Sequence, residues 1–177
     1  SLLGAVPFVL LVHPSLPAAN LRELLALARA RPAQLTHASA GNGSPGHLAG
    51  QLLRQMAGID MVHVPYKAVA QALIDTIGGQ VNMVMSPPPA GMPHAKSGRL
   101  RAIAVTGPAR SAAAPEVPTI AEAGVPGYEM VSWFGVAGPK GIARDVQTRL
   151  HGDLLRVLKN PDFQKSMRAA GQEVAFQ

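Results

Sequence analysis

The sequence has no cysteine, which excludes a disulfide framework and any thiolate metal centre and leaves the redox compartment unread. Aromatic residues are scarce as well: one Trp, two Tyr and four Phe among 177 residues. That scarcity bears on the formal net charge of +6. A basic chain can bind nucleic acid, but here the cations are scattered and few rings are available for bases to stack on, so no nucleic-acid partner is expected. A mild attraction for small anions fits better. No stretch reaches the ~18 to 20 continuous apolar residues of a membrane span. The opening "SLLGAVPFVLLV" lacks the charged start and small-residue cleavage site of a signal peptide. Internal repeats are missing, and the Pro-rich "SPPPAGMPH" is too short for a low-complexity linker. What remains is a chain with 47% hydrophobic residues, enough for one ample domain or two small lobes.

Strand and helix signals alternate along it. "PFVLLVH", from Pro7 to His13, is a continuous apolar run that reads as a buried strand. Asn20 caps a helix carrying Leu21, Leu24, Leu25 and Ala28 on one face, closed by Pro32. Further strands are expected at Leu35–Ala40, Met61–Val64, Val81–Met85 and Leu100–Thr106, with helices at His47–Ala57 and Val69–Ile77. Such alternation predicts an α/β fold with a parallel sheet covered by helices on both faces. From Ser111 to Gly127 the composition shifts to Ala, Pro and Gly, a wandering connection containing a short helical piece, "TIAEAG". A strand at Glu129–Ala137, an amphipathic helix at Ala143–Lys159, a short helix opened by Pro161 and a final strand in "EVAF" complete the pattern.

The residues richest in chemistry are "GNGSPGH", 41 to 47, where Gly41, Gly43 and Gly46 fall on G-x-G-x-x-G spacing. A dinucleotide site needs a preceding strand, a following helix and an acidic residue at the end of the next strand. Asp60 is the acidic residue at roughly the right distance, but it precedes the strand "MVHV", and its carboxylate falls at the wrong edge of the sheet. No cofactor is therefore expected. A bare turn accounts for the glycines but not for the polar set Ser39, Asn42 and Ser44 at the carboxyl end of a parallel strand, where α/β folds place ligands. Ser44 is suited to the N-cap and Pro45 to the first helical position, and a helix start of this kind is an anion seat. The available backbone donors are those around Gly43, Ser44, Gly46 and His47, enough for one carboxylate and cramped for a pyrophosphate.

The segments "SAGNGSPGHLAGQLL", "MVHVPYKAVAQALIDTIGGQV", "GRLRAIAVTGPARS" and "PEVPTIAEAGVPGYEMVSWFGVAGP" together resemble the periplasmic solute receptors of tripartite tricarboxylate transporters, the Bug family, over nearly the whole chain. The resemblance implies a type II periplasmic-binding-protein fold: two lobes with a small carboxylate held between them, delivered to membrane permease subunits. By the same resemblance Ser39, Ala40, Gly41, Asn42, Gly43 and Ser44 form the carboxylate loop of the second lobe, and His47 opens the helix behind it. Pro65, Tyr66 and Lys67 line the cleft at the end of the next strand, and Ser86 faces the same space. Residues 1–12 then represent the end of the first lobe and a hinge strand, 13–130 the ligand-binding lobe, and 131–177 the second hinge strand with the returning part of the first lobe.

The family often has an aspartate where this chain has Ser86 and a glycine where it has Ala68. Its members also begin with a first-lobe segment not seen here, so the helix bearing Leu150, Leu154, Leu155 and Leu158 is expected to offer an apolar face for self-association. The alternatives are the sensing domain of a transcription regulator of the same fold and a nucleotide-binding enzyme fragment. The six histidines show no paired ligand spacing, and no metal site is expected. Ser44 and His47 lack an acid to orient the imidazole, and no catalysis is expected.

Overall fold

A computed structural model of the chain describes residues 1–169 and 172–174. The chain divides into two compact units, one of Pro7–Val131 and one of Ser1–Val6 with Ser132–Gln177.

The Pro7–Val131 unit is built on a five-stranded sheet. In chain order its strands are β2 (Val9–Val12), β3 (Thr36–Ser39), β4 (Val62–Pro65), β5 (Met83–Ser86) and β6 (Arg101–Val105), and across the sheet they run β4-β3-β5-β2-β6. The expected parallel sheet is a mixed one. β3 is parallel to both β4 and β5, whereas β2 lies antiparallel between β5 and β6. From β3 to β6 each connection carries one helix and the strands run the same way, as crossover connections hold them. β2 runs against β3 although the helix Leu21–Ala30 joins them, and its apolar pattern carries no information on that direction.

β2 alternates between two cores. Leu10 and Val12 join Met83 and Met85 under α1 (Leu21–Ala30) and α2 (Pro45–Ala57), and Val9 and Leu11 join Val84 under α3 (Val69–Ile77) and α4 (Pro88–Lys96). Burial on both faces is why these strands are continuously apolar. Asn20 and Glu23 cap α1, the Asn20 side-chain Oδ1 accepting from the Glu23 amide at 3.0 Å and the Glu23 carboxylate accepting from the Ala19 amide. α4 went unforeseen because of its prolines. Pro88 and Pro89 occupy its first turn, where no amide is needed, and Pro93 is tolerated in a helix of only two and a half turns. The segment "TIAEAG" closes a single turn, Ala123 N–H to Thr119 C=O at 2.9 Å, and does not extend into a helix.

The other unit has a three-stranded sheet, β7 (Val131–Gly135), β1 (Leu2–Pro7) and β8 (Glu173–Val174), with α5 (Arg144–Leu158) and α6 (Pro161–Ala169). β8 takes up the first half of the expected "EVAF" strand; Ala175 and Phe176 lie outside the described residues. Val136 and Ser1 exchange backbone bonds at 2.9 and 3.0 Å, and the Ser1 hydroxyl lies 2.8 Å from His151 Nδ1.

Candidate functional site

Ser39, Pro65 and Ser86 are the last residues of β3, β4 and β5, and the ladder pairs Ser39 with Pro65 and Val9 with Ser86. The carboxyl ends of three parallel strands and the start of β2 therefore share one edge of the sheet. Phe8 and Met130, near the two ends of this unit, bond Thr106 beside the same edge: Phe8 N–H to the Thr106 hydroxyl at 2.7 Å, and Met130 N–H to its carbonyl at 2.8 Å. From this edge the loop of residues 40–44 projects, with Ala40, Asn42 and Gly43 exposed.

The three glycines of the loop have two different jobs. Gly41 and Gly43 have φ of +109° and +77°, backbone that side chains rarely adopt. Gly46 is helical, and a Cβ there would stand 3.0 Å from the Met85 carbonyl, so its bareness lets α2 descend onto β5. Ser44 caps α2 and Pro45 is its first residue, as the sequence predicts.

The expected set of free donors needs correction. Gly43 N–H is taken by His47 Nδ1 at 3.1 Å, Ser44 N–H by the Gly41 carbonyl at 3.2 Å, and His47 N–H by the Ser44 hydroxyl at 3.4 Å. A short loop satisfies its own amides when nothing else does. The amides of Asn42 and Gly46 bond no described residue, and they are the donors left at the positive end of α2.

Beneath the loop lies a cluster of histidines whose spacing along the chain does not announce it. β3 and β4 are in parallel register, His37 opposite His63, and α2 brings His47 over them. The His47 and His63 rings are 4.2 Å apart and those of His37 and His63 5.8 Å. Strand periodicity supplies the signal: His37 and Ser39, two residues apart, share the face under α2. His37 is 2% exposed, its Nε2 has no hydrogen-bond partner among the described residues, and its ring occupies the space a Cβ on Gly50 would fill. Burial above all, then His63 and His47, lower its pKa from 6.5 to about 4. Burial, then His47, lower that of His63. Among the described residues no three His, Cys, Asp or Glu side chains converge to hold a metal.

His63 Nε2 is 2.7 Å from Ser39 Oγ, which also accepts from Gly41 N–H at 3.1 Å and donates to the Gly41 carbonyl at 3.1 Å. With its single proton given to the Gly41 carbonyl, the Ser39 hydroxyl can only accept from His63, which therefore donates through Nε2. Ser39, at 1% exposure, thus braces the loop from below. Ser86 is also fully buried, its hydroxyl turned to the Pro87 carbonyl at 3.2 Å, and α4 closes over it: a Cβ on Gly91 would come 3.2 Å from the Ser86 Cβ. Ser86 therefore does not open onto the loop's surface. Tyr66 is half-buried with its carbonyl beside Gly41, whereas Pro65 and Lys67 are exposed. Asp60 stands at the opposite end of β4, paired with Arg54 at 3.0 Å. A separate depression of about 450 Å³ lies along α3 and α4, lined by Leu73, Ile74, Ile77, His94 and Arg99 among others.

Known proteins of this kind are similar throughout the chain. A family model described as "Tripartite tricarboxylate transporter family receptor" matches residues 1–177. A Pseudomonas sp. (strain P51) protein, the "UPF0065 protein in tcbD-tcbE intergenic region", is 37% identical over 98% of this chain and 52% of its own length. The structure of an R. palustris protein, Rpa4515 with adipate, superposes with a TM-score of 0.86 at 36% identity, covering 98% of this chain and 58% of that one. The periplasmic binding protein BugD superposes with a TM-score of 0.82 at 32% identity, over 98% and 58% respectively. The chain thus spans about half the length of the curated relatives it matches, and its fold is that of a periplasmic-binding-protein lobe with part of a second.

Proposed function

Because the chain belongs to the tripartite tricarboxylate transporter receptor family, we propose that it is part of a periplasmic receptor whose glycine loop seats one carboxylate of a small organic anion. One observation carries this reading: the loop stands exposed at the carboxyl edge of the parallel strands, over the start of α2, with the Asn42 and Gly46 amides uncommitted. The relative solved with adipate supports a carboxylate as the ligand class, and relatives that are solute receptors support binding without chemistry.

Magnitude argues for a second surface. A partly buried helix end contributes up to ~2 kcal/mol and each hydrogen bond to a charged group ~1.5 to 3 kcal/mol, before the cost of association. Micromolar affinity needs about 8 kcal/mol net. The loop alone is a weak seat, and closure of two lobes hinged near Pro7 and Val131 supplies the remainder. Ala40 to Ser44, Tyr66 and Lys67 face the anion in this reading, Ser39 braces the loop, and the closed form is what the permease recognises. The open face of α5 makes this 177-residue chain prone to self-association, which light scattering reads directly.

A thermal-shift screen of mono- and dicarboxylates on the complete encoded protein tests the reading. Ligand at about a hundred times Kd stabilises by about 2.7 kcal/mol, so adipate or a similar dicarboxylate raises Tm by several degrees. Stabilisation by a dinucleotide and by no carboxylate would overturn it.

A further inference from the structure

We propose that His47 is a proton-linked latch on the glycine loop: its Nδ1 holds the Gly43 amide, the donor that lies between the free Asn42 and Gly46 amides, so a carboxylate that recruits Gly43 displaces the ring and is coupled to uptake of one proton at that nitrogen. The inference rests on the reading of the loop as a carboxylate seat.

The geometry supplies each part. A backbone amide can only donate, so the 3.1 Å bond from Gly43 requires His47 Nδ1 to be unprotonated, with the ring proton on Nε2. The Gln51 side-chain amide lies 3.4 Å from Nε2, and which of its two ends faces the ring follows from the tautomer that Gly43 sets. Gly43 is exposed, at φ +77°, with nothing within 4 Å of a would-be Cβ, so His47 is what occupies its amide. A carboxylate oxygen in the loop seeks the same N–H, because charge-assisted bonds to backbone amides outcompete neutral ones. Once Gly43 turns to the anion, Nδ1 loses its donor, and protonation from solvent converts it into a second donor toward the same negative charge. Imidazole is the side chain able to make this change near neutral pH.

The groups around the latch are basic or already paired. His63 on β4 faces the His47 ring at 4.2 Å, and His37 on β3 lies behind it. On its own helix His47 is followed by Gln51 and then by Arg54, whose charge is engaged by Asp60 at 3.0 Å. The bound anion is therefore the partner for a proton taken up at His47. His47 is on this account a positioning residue and the sensor of loop occupancy.

The test uses the complete encoded protein with adipate as the probe. Without adipate, the Gly43 amide resonance moves with the titration of His47 Nδ1, and in His47→Asn, whose Oδ1 can replace Nδ1 as acceptor, it stays near its neutral-pH position at every pH. With adipate, calorimetry in buffers of different ionisation enthalpy gives about one proton taken up per ligand, and binding weakens about tenfold for each pH unit over which that uptake holds. His47→Asn abolishes both the uptake and the pH dependence, while His47→Ala leaves the Gly43 amide unlatched. Adipate binding without proton uptake, or uptake unchanged in His47→Asn, overturns the latch and leaves the seat standing. A Gly43 signal that follows His47 in a protein that binds no carboxylate overturns the seat and its coupling, and leaves only the latch contact.

Discussion

The two units of the chain bury their apolar residues to very different degrees. In Pro7–Val131, both faces of every interior strand are packed, and Leu10, Leu11, Leu53 and Met83 are fully covered. In the other unit, α5 has a similarly amphipathic sequence, yet Val146, Leu150 and Val157 remain 42%, 49% and 48% exposed, and Leu158 is the residue of that helix that is buried. A helical apolar stripe records which face is meant to be covered, and burial then depends on what lies opposite. The loop belongs to the well-packed unit, so its shape is set by a rigid floor of sheet and histidines.

Substitutions should separate the two units, beginning with the core. Leu53→Ala, under α2, is expected to cost about 2 to 5 kcal/mol, whereas Leu150→Ala on α5 should change stability by about 0.5 kcal/mol or less. Urea titration of the two variants reads both numbers, and equal losses would erase the distinction. Acid is the next strongest lever. His37 titrates near about 4 when folded and 6.5 when free, so between those values the unfolded chain binds the extra proton. Stability is therefore full above about pH 6.5, declines as pH falls through the window and has lost about 3 kcal/mol below it. His37→Asn should flatten that decline.

Gly50→Ala drives a methyl group into the His37 ring and should cost about 1 to 3 kcal/mol. The same change at Gly152, open on α5, should stabilise by up to about 1 kcal/mol through helix propensity; thermal unfolding of the pair compares the units at a single chemical change. Within the well-packed unit the cap has the smallest effect: Ser44→Ala should cost about 1 kcal/mol and loosen the loop, seen as faster amide exchange at His47.

Much of the well-packed unit is legible in the sequence because its signals are local. Asn20, Ser44 and Pro45 announce helix starts, and the span Val69–Ile77 is recovered as observed. The direction of β2 is not legible, because an apolar strand buried on both faces looks alike in either orientation. α4 hides behind prolines that sit where a helix tolerates them. In the loop, the glycine spacing and the cap can be read directly, but the occupancy of its amides cannot. His47 reaches Gly43 through a side-chain contact four residues back, and His63 reaches Ser39 from a neighbouring strand. The second arises from the β3–β4 register, which exists only once the sheet is assembled, and the first from a side-chain orientation that residue type and spacing do not specify.

The claim that a carboxylate is held at the start of α2 is tested most directly by titrating adipate into the complete encoded protein and following backbone amide resonances. The account predicts that the largest saturable shifts fall on Asn42, Gly43 and Gly46, with smaller ones at Tyr66 and Lys67. Shifts centred instead on Leu73, Ile74 and Arg99 beside the α3–α4 depression, with the loop unmoved, would contradict it.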